Sequence, residues 1–302
     1  MSKRGKLILF GAMSGFLLLV VGMAAIFGSA GRNEEFQPQN EFKLDPWISI
    51  QLGPIDMSIN KAVLYLALAS GLTIFTMMWI ANRMKERPNR VQTAVELLYG
   101  LMRNNIAGPQ NLSTQMALKW FPFIGALFLF IWFSNLIGYI PLPTNTEETI
   151  NVAGFELPAF SLYAATANIS VPLVLTLIVW FSYNIEGIRA KGVIGYFKSW
   201  IPAGTKGPMV LMIFPIEVIS HFVRLISLSV RLFANILAGH LLILFMGGGL
   251  AVILGLAAIG ILTLPMAIAF FIFEVGLVAT LQAFIFATLT AIYLGGATAE
   301  TH

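Results

Sequence analysis

Between Gly207 and Ala299 the chain carries only four charged residues, Glu217, Arg224, Arg231 and Glu274, together with two histidines, His221 and His240. The rest of this stretch is apolar, small or neutral. A charged side chain at the middle of a bilayer costs on the order of 2.5–3.5 kcal/mol, so each of these charges needs a physical reason. At 100° per residue, Glu217, His221, Arg224, Leu228, Arg231 and Asn235 fall within about an 80° arc of a single helix. That face must point at protein, water or a moving partner, because random placement would scatter the polar groups over lipid. Glu217, His221 and Arg224 can satisfy one another at i,i+4 and i,i+3 spacing. Arg231 cannot, since its nearest charged neighbour on the face is Arg224, two turns back and of the same sign. The chemistry open to such groups is ion pairing and proton exchange. No nucleophile–base–acid arrangement is suggested anywhere. The absence of cysteine excludes disulfides, thiol catalysis and Cys-ligated metals. His221, His240 and His302 are too scattered for a zinc motif, so neither a metal nor a cofactor is expected.

The elements that position these groups follow from composition. Of 302 residues, 58% are hydrophobic and 11% charged, where a soluble domain would carry roughly 25% charged residues. Such a chain has too little polar surface to cover a soluble core, and its length suits about five or six membrane-spanning segments. The net charge of +4 does not mark a nucleic-acid binder, because the positive residues sit at the ends of apolar segments and form no stripe.

Residues 7–28 are apolar behind Lys3, Arg4 and Lys6, which fits either a retained first helix or a secretory signal, with the N-terminus cytoplasmic in both cases. Residues 31–60 form an acidic, proline-containing external loop, with a short strand expected around Ile48–Leu52. A span over 61–81 ends in Arg83, Lys85, Arg87 and Arg90 against the single acid Glu86, a cytoplasmic mark. Val91, Val95, Leu98, Met102 and Ile106 have helical spacing suited to an interfacial helix over 91–106. A third span is expected at 120–140. The loop after it, 141–157, contains Glu147, Glu148 and Glu156 but no Lys or Arg and should face outside. A fourth span at 160–185 leads to Arg189, Lys191, Lys198 and Lys206, again cytoplasmic.

The apolar runs 208–246 and 250–296 would measure roughly 58 and 70 Å as continuous helices, against a bilayer core about 30 Å thick. Two long, strongly tilted helices forming a hairpin are expected, with the turn at Gly247-Gly248-Gly249 and a bend at Pro265. The fold class is therefore an all-α integral membrane protein. Residues 1–60 form an N-terminal segment with its external loop, and 61–302 form the membrane domain.

The string SLSVRLFANILAGH, Ser227 to His240, resembles the signature of subunit a of F-type ATP synthases. LQAFIFATLTAIYL, Leu281 to Leu294, resembles that family's last helix, and the similarity in hydropathy runs from about residue 55 to the end. The resemblance implies proton translocation coupled to rotation of a ring of c subunits, against which the last two helices would pack. Arg231 resembles the family's essential arginine, which faces the ring carboxylate and separates two aqueous half-channels. Asn235, Gln282 and Asn135 match polar positions of the proton path, and Glu217 lies where the family often has an acid. His240 and Glu274 resemble a paired titratable site, here with the histidine first, in which an imidazole of ordinary pKa beside a carboxylate can relay protons. His221, Arg224, Ser227 and Tyr293 are weaker members of the set. Gly138 departs from the pattern by standing where some members have an acid, which shifts the expected outer access to Glu217, His240, Glu274 and the loop acids Glu147 or Glu148. The resemblance also implies the b subunits of a peripheral stalk, the remainder of an F1Fo complex and the bilayer as partners, with no nucleic acid. It implies H⁺ in preference to Na⁺ and a multi-pass location in a bacterial plasma (inner) membrane in preference to an organelle's. The chain would be a non-catalytic channel subunit that does not hydrolyse ATP alone. The competing reading is a stand-alone ion-coupled secondary transporter, which predicts internal repeats that the two halves do not show.

Overall fold

The computed structural model describes residues 42–53, 55–84, 90–108, 112–144, 149–152, 155–158, 160–201, 205, 208–249 and 257–299. The expected first helix at 7–28 and the loop acids Glu147 and Glu148 lie outside them. Hydrocarbon offers no partner for backbone N–H and C=O groups, so a chain this apolar must wind into helices. Among the described residues five helices are long and apolar enough to cross a membrane: Lys61–Asn82, Thr114–Gly138, Ser170–Lys191, Met209–Gly247 and Thr263–Thr298. The protein is an all-α, multi-pass membrane protein.

The chain divides into two compact units, one built from Leu44–Leu237 with Val275–His302 and one that includes Ala238–Glu274. In the first unit a hairpin pairs β1 (Gln51–Leu52) with β2 (Ile55–Asp56), with Gly53 at φ +62° between them. A further bridge from Ile48 to Ile59 extends it, so the strand expected at Ile48–Leu52 is present. Helix α1 (Lys61–Arg83) starts where the Asn60 side chain accepts from Val63 N at 3.3 Å, the usual work of an N-cap amide. Helix α2 (Arg90–Leu101) runs into a π-turn at Met102–Ile106, matching the segment expected at 91–106. Helix α3 (Thr114–Gly138) begins six residues before its expected start, because Thr114, Gln115 and Lys119 add a polar first turn that hydropathy does not register.

After α3, β3 (Leu142–Pro143) pairs with β6 (Phe160–Ser161), and β4 (Thr149–Val152) pairs with β5 (Phe155–Pro158). These pairings correct the expected fourth span: it starts at Ser170, not near 160, because Phe160 and Ser161 are extended and paired with Leu142 and Pro143, and a 3-10 turn at Ala165–Ala167 follows. Helix α4 (Ser170–Lys191) ends at Gly192, whose φ of +73° lets its N–H donate to Ile188 O at 2.8 Å. That left-handed stop is glycine's role at helix C-termini. The short helix α5 (Val193–Lys198) follows. Within this unit α3 packs against α1 on one side and α8 (Ala279–Thr298) on the other, and α4 packs against α8.

Helix α6 (Met209–Leu244) passes through Pro215 without ending and is followed by a π-turn at Phe245–Gly249. In the second unit that turn packs on α7 (Ala257–Phe273), which runs through Pro265 into a π-turn at Glu274–Val278 before α8. Pro265 therefore does not end the helix, and Gly247 to Gly249 are still wound. The turn expected at those glycines is therefore not found there, and residues 250–256 lie outside the described residues. The spans of 39 and 36 residues are roughly 58 and 54 Å long. Both exceed the hydrocarbon thickness, so they must tilt steeply or extend beyond it.

Close approaches of backbone fix the packing at particular glycines. A Cβ on Gly138 would meet the Ala164 Cα at 2.7 Å, so the end of α3 has no room for a side chain there, acidic or otherwise. Replacing Gly138 by Ala should destabilise the subunit by about 1–3 kcal/mol through overpacking. Reversible unfolding in SDS should register the loss, and Ala164→Gly should restore part of it.

Candidate functional site

The polar face of α6 meets its neighbours at two places within the first unit. Nearer the positively charged chain ends at Arg189, Lys191 and Lys198, a cavity of about 540 Å³ is lined by residues that include Glu217, His221, Arg224, Tyr183, Lys191 and Tyr293. Arg224 Nη2 lies 3.4 Å from Glu217 Oε1, and its guanidinium sits 5.8 Å from the Tyr293 ring centroid. The i,i+7 ion pair neutralises both charges without removing them from the cavity. His221 is buried; its Nδ1 is 3.1 Å from Tyr183 Oη, and its ring stacks on Trp200 with centroids 4.2 Å apart and planes at 23°. Tyr196 Oη donates to Asn184 Oδ1 at 2.9 Å, and its ring fills the notch over Gly187. Burial pushes the Tyr196 phenol up from its usual range, which keeps that donor protonated. This end of the site is therefore wall-papered with aromatic rings that hold the connection after α4 against α6.

Two turns further along, the character of the helix changes. Leu228, Leu232 and Ile236 form the narrow buried stripe of α6, whereas Ser227, Arg231, Ala234 and Asn235 are exposed. Among the described residues Arg231 takes part in none of the ion pairs. Asn235 Nδ2 donates to Gln282 Oε1 on α8 at 3.0 Å. Gln282 is itself buried, and its Nε2 has no partner among the described residues. A buried amide with one end unsatisfied costs about 1–3 kcal/mol. Behind α8, Asn135 is fully buried in α3, donating to Ala279 O at 3.4 Å and accepting from Thr166 Oγ1 at 2.8 Å. Trp132 Nε1 adds a bond to Thr280 Oγ1 at 3.0 Å. Asn135 is thus a tie between α3 and α8, bonded on both sides of its amide.

In the second unit His240 is buried, and a Cβ built on the preceding Gly239 would run into the Glu274 carboxyl. The glycine therefore makes the room in which an acid from the start of the π-turn lies against the histidine's own helix turn. The structure brings together Glu217, His221, Arg224 and Tyr293 in one group, Asn235 with Gln282 in a second, and Glu274 with the Gly239–His240 turn in a third. Ser227 shares the exposed face of Arg231.

The family described as ATP synthase A chain matches residues 63–295. That match spans both polar strings and every group just described. The chain belongs to the ATP synthase A chain family. Curated relatives agree across nearly their whole length. ATP synthase subunit a of Hyphomonas neptunium is 33% identical over 264 residues, covering 86% of this chain and 95% of the relative. That of Rubrobacter xylanophilus is 34% identical over 251 residues, covering 82% and 87%. That of Bradyrhizobium diazoefficiens is 31% identical over 274 residues, covering 89% of this chain and all of the relative.

Sequence reasoning missed the aromatic partners Tyr183, Tyr196 and Trp200, which carry no polarity signal strong enough to stand out. It also missed Glu186, a buried acid paired with Lys119 and lying 3.8 Å from Arg189. The unusual sign of Glu186 at the end of an apolar span could have marked it.

The Asn235–Gln282 bond gives a direct check on the geometry. A double-mutant cycle of Asn235→Ala and Gln282→Ala, read by reversible SDS unfolding, should show coupling of about 0.5–1.5 kcal/mol. Additive single effects would mean that the two amides do not meet.

Proposed function

We propose that this chain is the proton-translocating stator subunit in the membrane sector of a rotary ATP synthase, with residues 61–302 as its membrane domain and residues 1–60 as an N-terminal segment and external loop. The observation that carries the reading is Arg231, a guanidinium left exposed on a membrane-crossing helix with no carboxylate of its own chain beside it among the described residues. An isolated charge in hydrocarbon is too costly to leave bare, so the exposed face requires a partner that brings negative charge. The small neighbours Ser227 and Ala234 allow that partner to come close. A ring of c subunits with a carboxylate on each supplies what the face lacks.

The physics then sets the role. A guanidinium keeps its proton at any accessible pH, so it cannot pass protons on. At about 4 Å and an effective dielectric near 20 it stabilises a carboxylate by about 4 kcal/mol. With about 1.4 kcal/mol per pKa unit, that favours ionisation by roughly three units, enough to strip a proton from a carboxyl group arriving out of lipid. Arg231 thereby discharges each passing carboxylate and blocks a direct path across the membrane. Glu217, expected from sequence at the outer access, is assigned instead, with His221, Arg224 and Tyr293, to the aqueous route on the side marked cytoplasmic, because the cavity they line also holds Lys191. His240 and Glu274 form the second titratable group, and Asn235 and Gln282 hold the helix face around Arg231, while Asn135 ties α3 behind them. The transported ion is H⁺. The b subunits of a peripheral stalk anchor the stator, and the complex resides in a bacterial plasma membrane.

Substituting Arg231 by Ala should abolish coupled ATP synthesis in inverted vesicles while raising passive proton leak, with the subunit still assembled. Lysine at the same position should retain only a small part of the synthesis, since it keeps the charge without the planar fork. Full synthesis in the alanine variant would sink the proposal.

A further inference from the structure

A second cavity lies away from the polar face of α6. It measures about 460 Å³ and is formed where α2 turns into α3, within the size range of small-molecule sites. The π-turn at Met102–Ile106 buries Met102 and Ile106, which leaves Arg103 and Asn104 on the outer side, where both line the cavity. Gly108 closes the corner beneath them, because a Cβ there would strike the carbonyl of Asn104. The opposite wall is apolar: Leu118, Phe121 and Pro122 come from the first turns of α3. Tyr99 bridges the two walls with its ring edge-on to Phe121 at 5.1 Å. Leu118 is 70% exposed, so the apolar end opens towards the bilayer. Among the described residues no ion pair involves Arg103.

The cavity is therefore two-ended, with a cation and an amide at one end and an apolar slot at the other. The helix that carries Tyr99 follows directly in sequence on Arg83 to Arg90, whose charges mark the cytoplasmic surface. That leaflet carries the anionic lipids, and basic pockets between helices on this side suit their headgroups. A soluble anion would use only the polar end, and a zwitterionic lipid would gain nothing from Arg103 that its own choline does not oppose. We propose that this cavity binds one anionic phospholipid of the cytoplasmic leaflet, its phosphate held by Arg103 and Asn104 and its acyl chains lying on Leu118, Phe121 and Pro122. Such a lipid would wedge the interfacial helix against α3 and complete the surface between them.

The test uses the complete complex purified in detergent. Phosphatidylglycerol, phosphatidylcholine and glycerol 3-phosphate are compared for their effect on its thermal stability. Phosphatidylglycerol should stabilise the complex at several-fold lower concentration than phosphatidylcholine, and Arg103→Gln should remove that preference while Arg103→Lys keeps part of it. A photo-cross-linking residue introduced at Leu118 should become attached to the phosphatidylglycerol, as read from the mass of the labelled peptide. Equal responses of wild type and Arg103→Gln would overturn the proposal. So would an equal effect of glycerol 3-phosphate, which would mean a free-phosphate site, or a cross-link from Leu118 to another polypeptide. If Arg103→Gln fails to assemble, the cross-link from Leu118 in the otherwise unchanged chain still decides. Coupled ATP synthesis is not the readout, so failure here leaves the role of Arg231 untouched.

Discussion

Hydrocarbon cannot hydrogen-bond, and most of this structure follows from that single constraint. The backbone answers it by winding into helices that continue through Pro122, Pro215 and Pro265 and, where the winding changes, by passing through π-turns that keep the chain coiled. Hydroxyl side chains answer it locally. Thr73, Thr176 and Thr290 each donate to the carbonyl four residues back, at 2.7, 2.8 and 2.9 Å, so they add no unsatisfied group to the lipid phase. Larger polar side chains can also find partners on other elements, as Asn135 does with Thr166 and the backbone of Ala279.

Against that background the groups that do not satisfy themselves stand out. Arg231 lies exposed on α6 beside the buried Leu228, Ser229, Leu232 and Ile236, and the Gln282 amide nitrogen is buried without a partner among the described residues. In a self-contained membrane protein both would be errors of burial. In a subunit whose face is completed by another protein and by water they are the places where function enters. The aromatic lining around His221 and the ion pair of Arg224 with Glu217 show the opposite solution, a polar group made tolerable by its surroundings while open to a cavity.

Glycines set how closely these solutions can be assembled. Gly138 lets α3 reach Ala164, Gly187 accepts the ring of Tyr196, and Gly239 makes room for the carboxyl of Glu274. The absence of an acid at position 138 thus has a packing cause: the residue there is in backbone contact. The same economy of space at Gly108 shapes the cavity beside Arg103.

Much of this was legible without coordinates. The all-α membrane class, the order of the five described membrane helices and the family could be read from sequence, because hydropathy acts residue by residue. The ends of spans were less legible: the polar first turn of α3 and the hairpins before α4 depend on hydrogen bonds that hydropathy does not see. What only the tertiary structure decided is which polar groups meet. Asn235 finds Gln282 across 47 residues, Trp132 finds Thr280 across 148, and His221 comes to rest between Tyr183 and Trp200. Those pairings depend on how helices pack and rotate against one another, and that is settled by side-chain shape and close glycine contacts summed over the fold, not by the character of any one stretch of sequence.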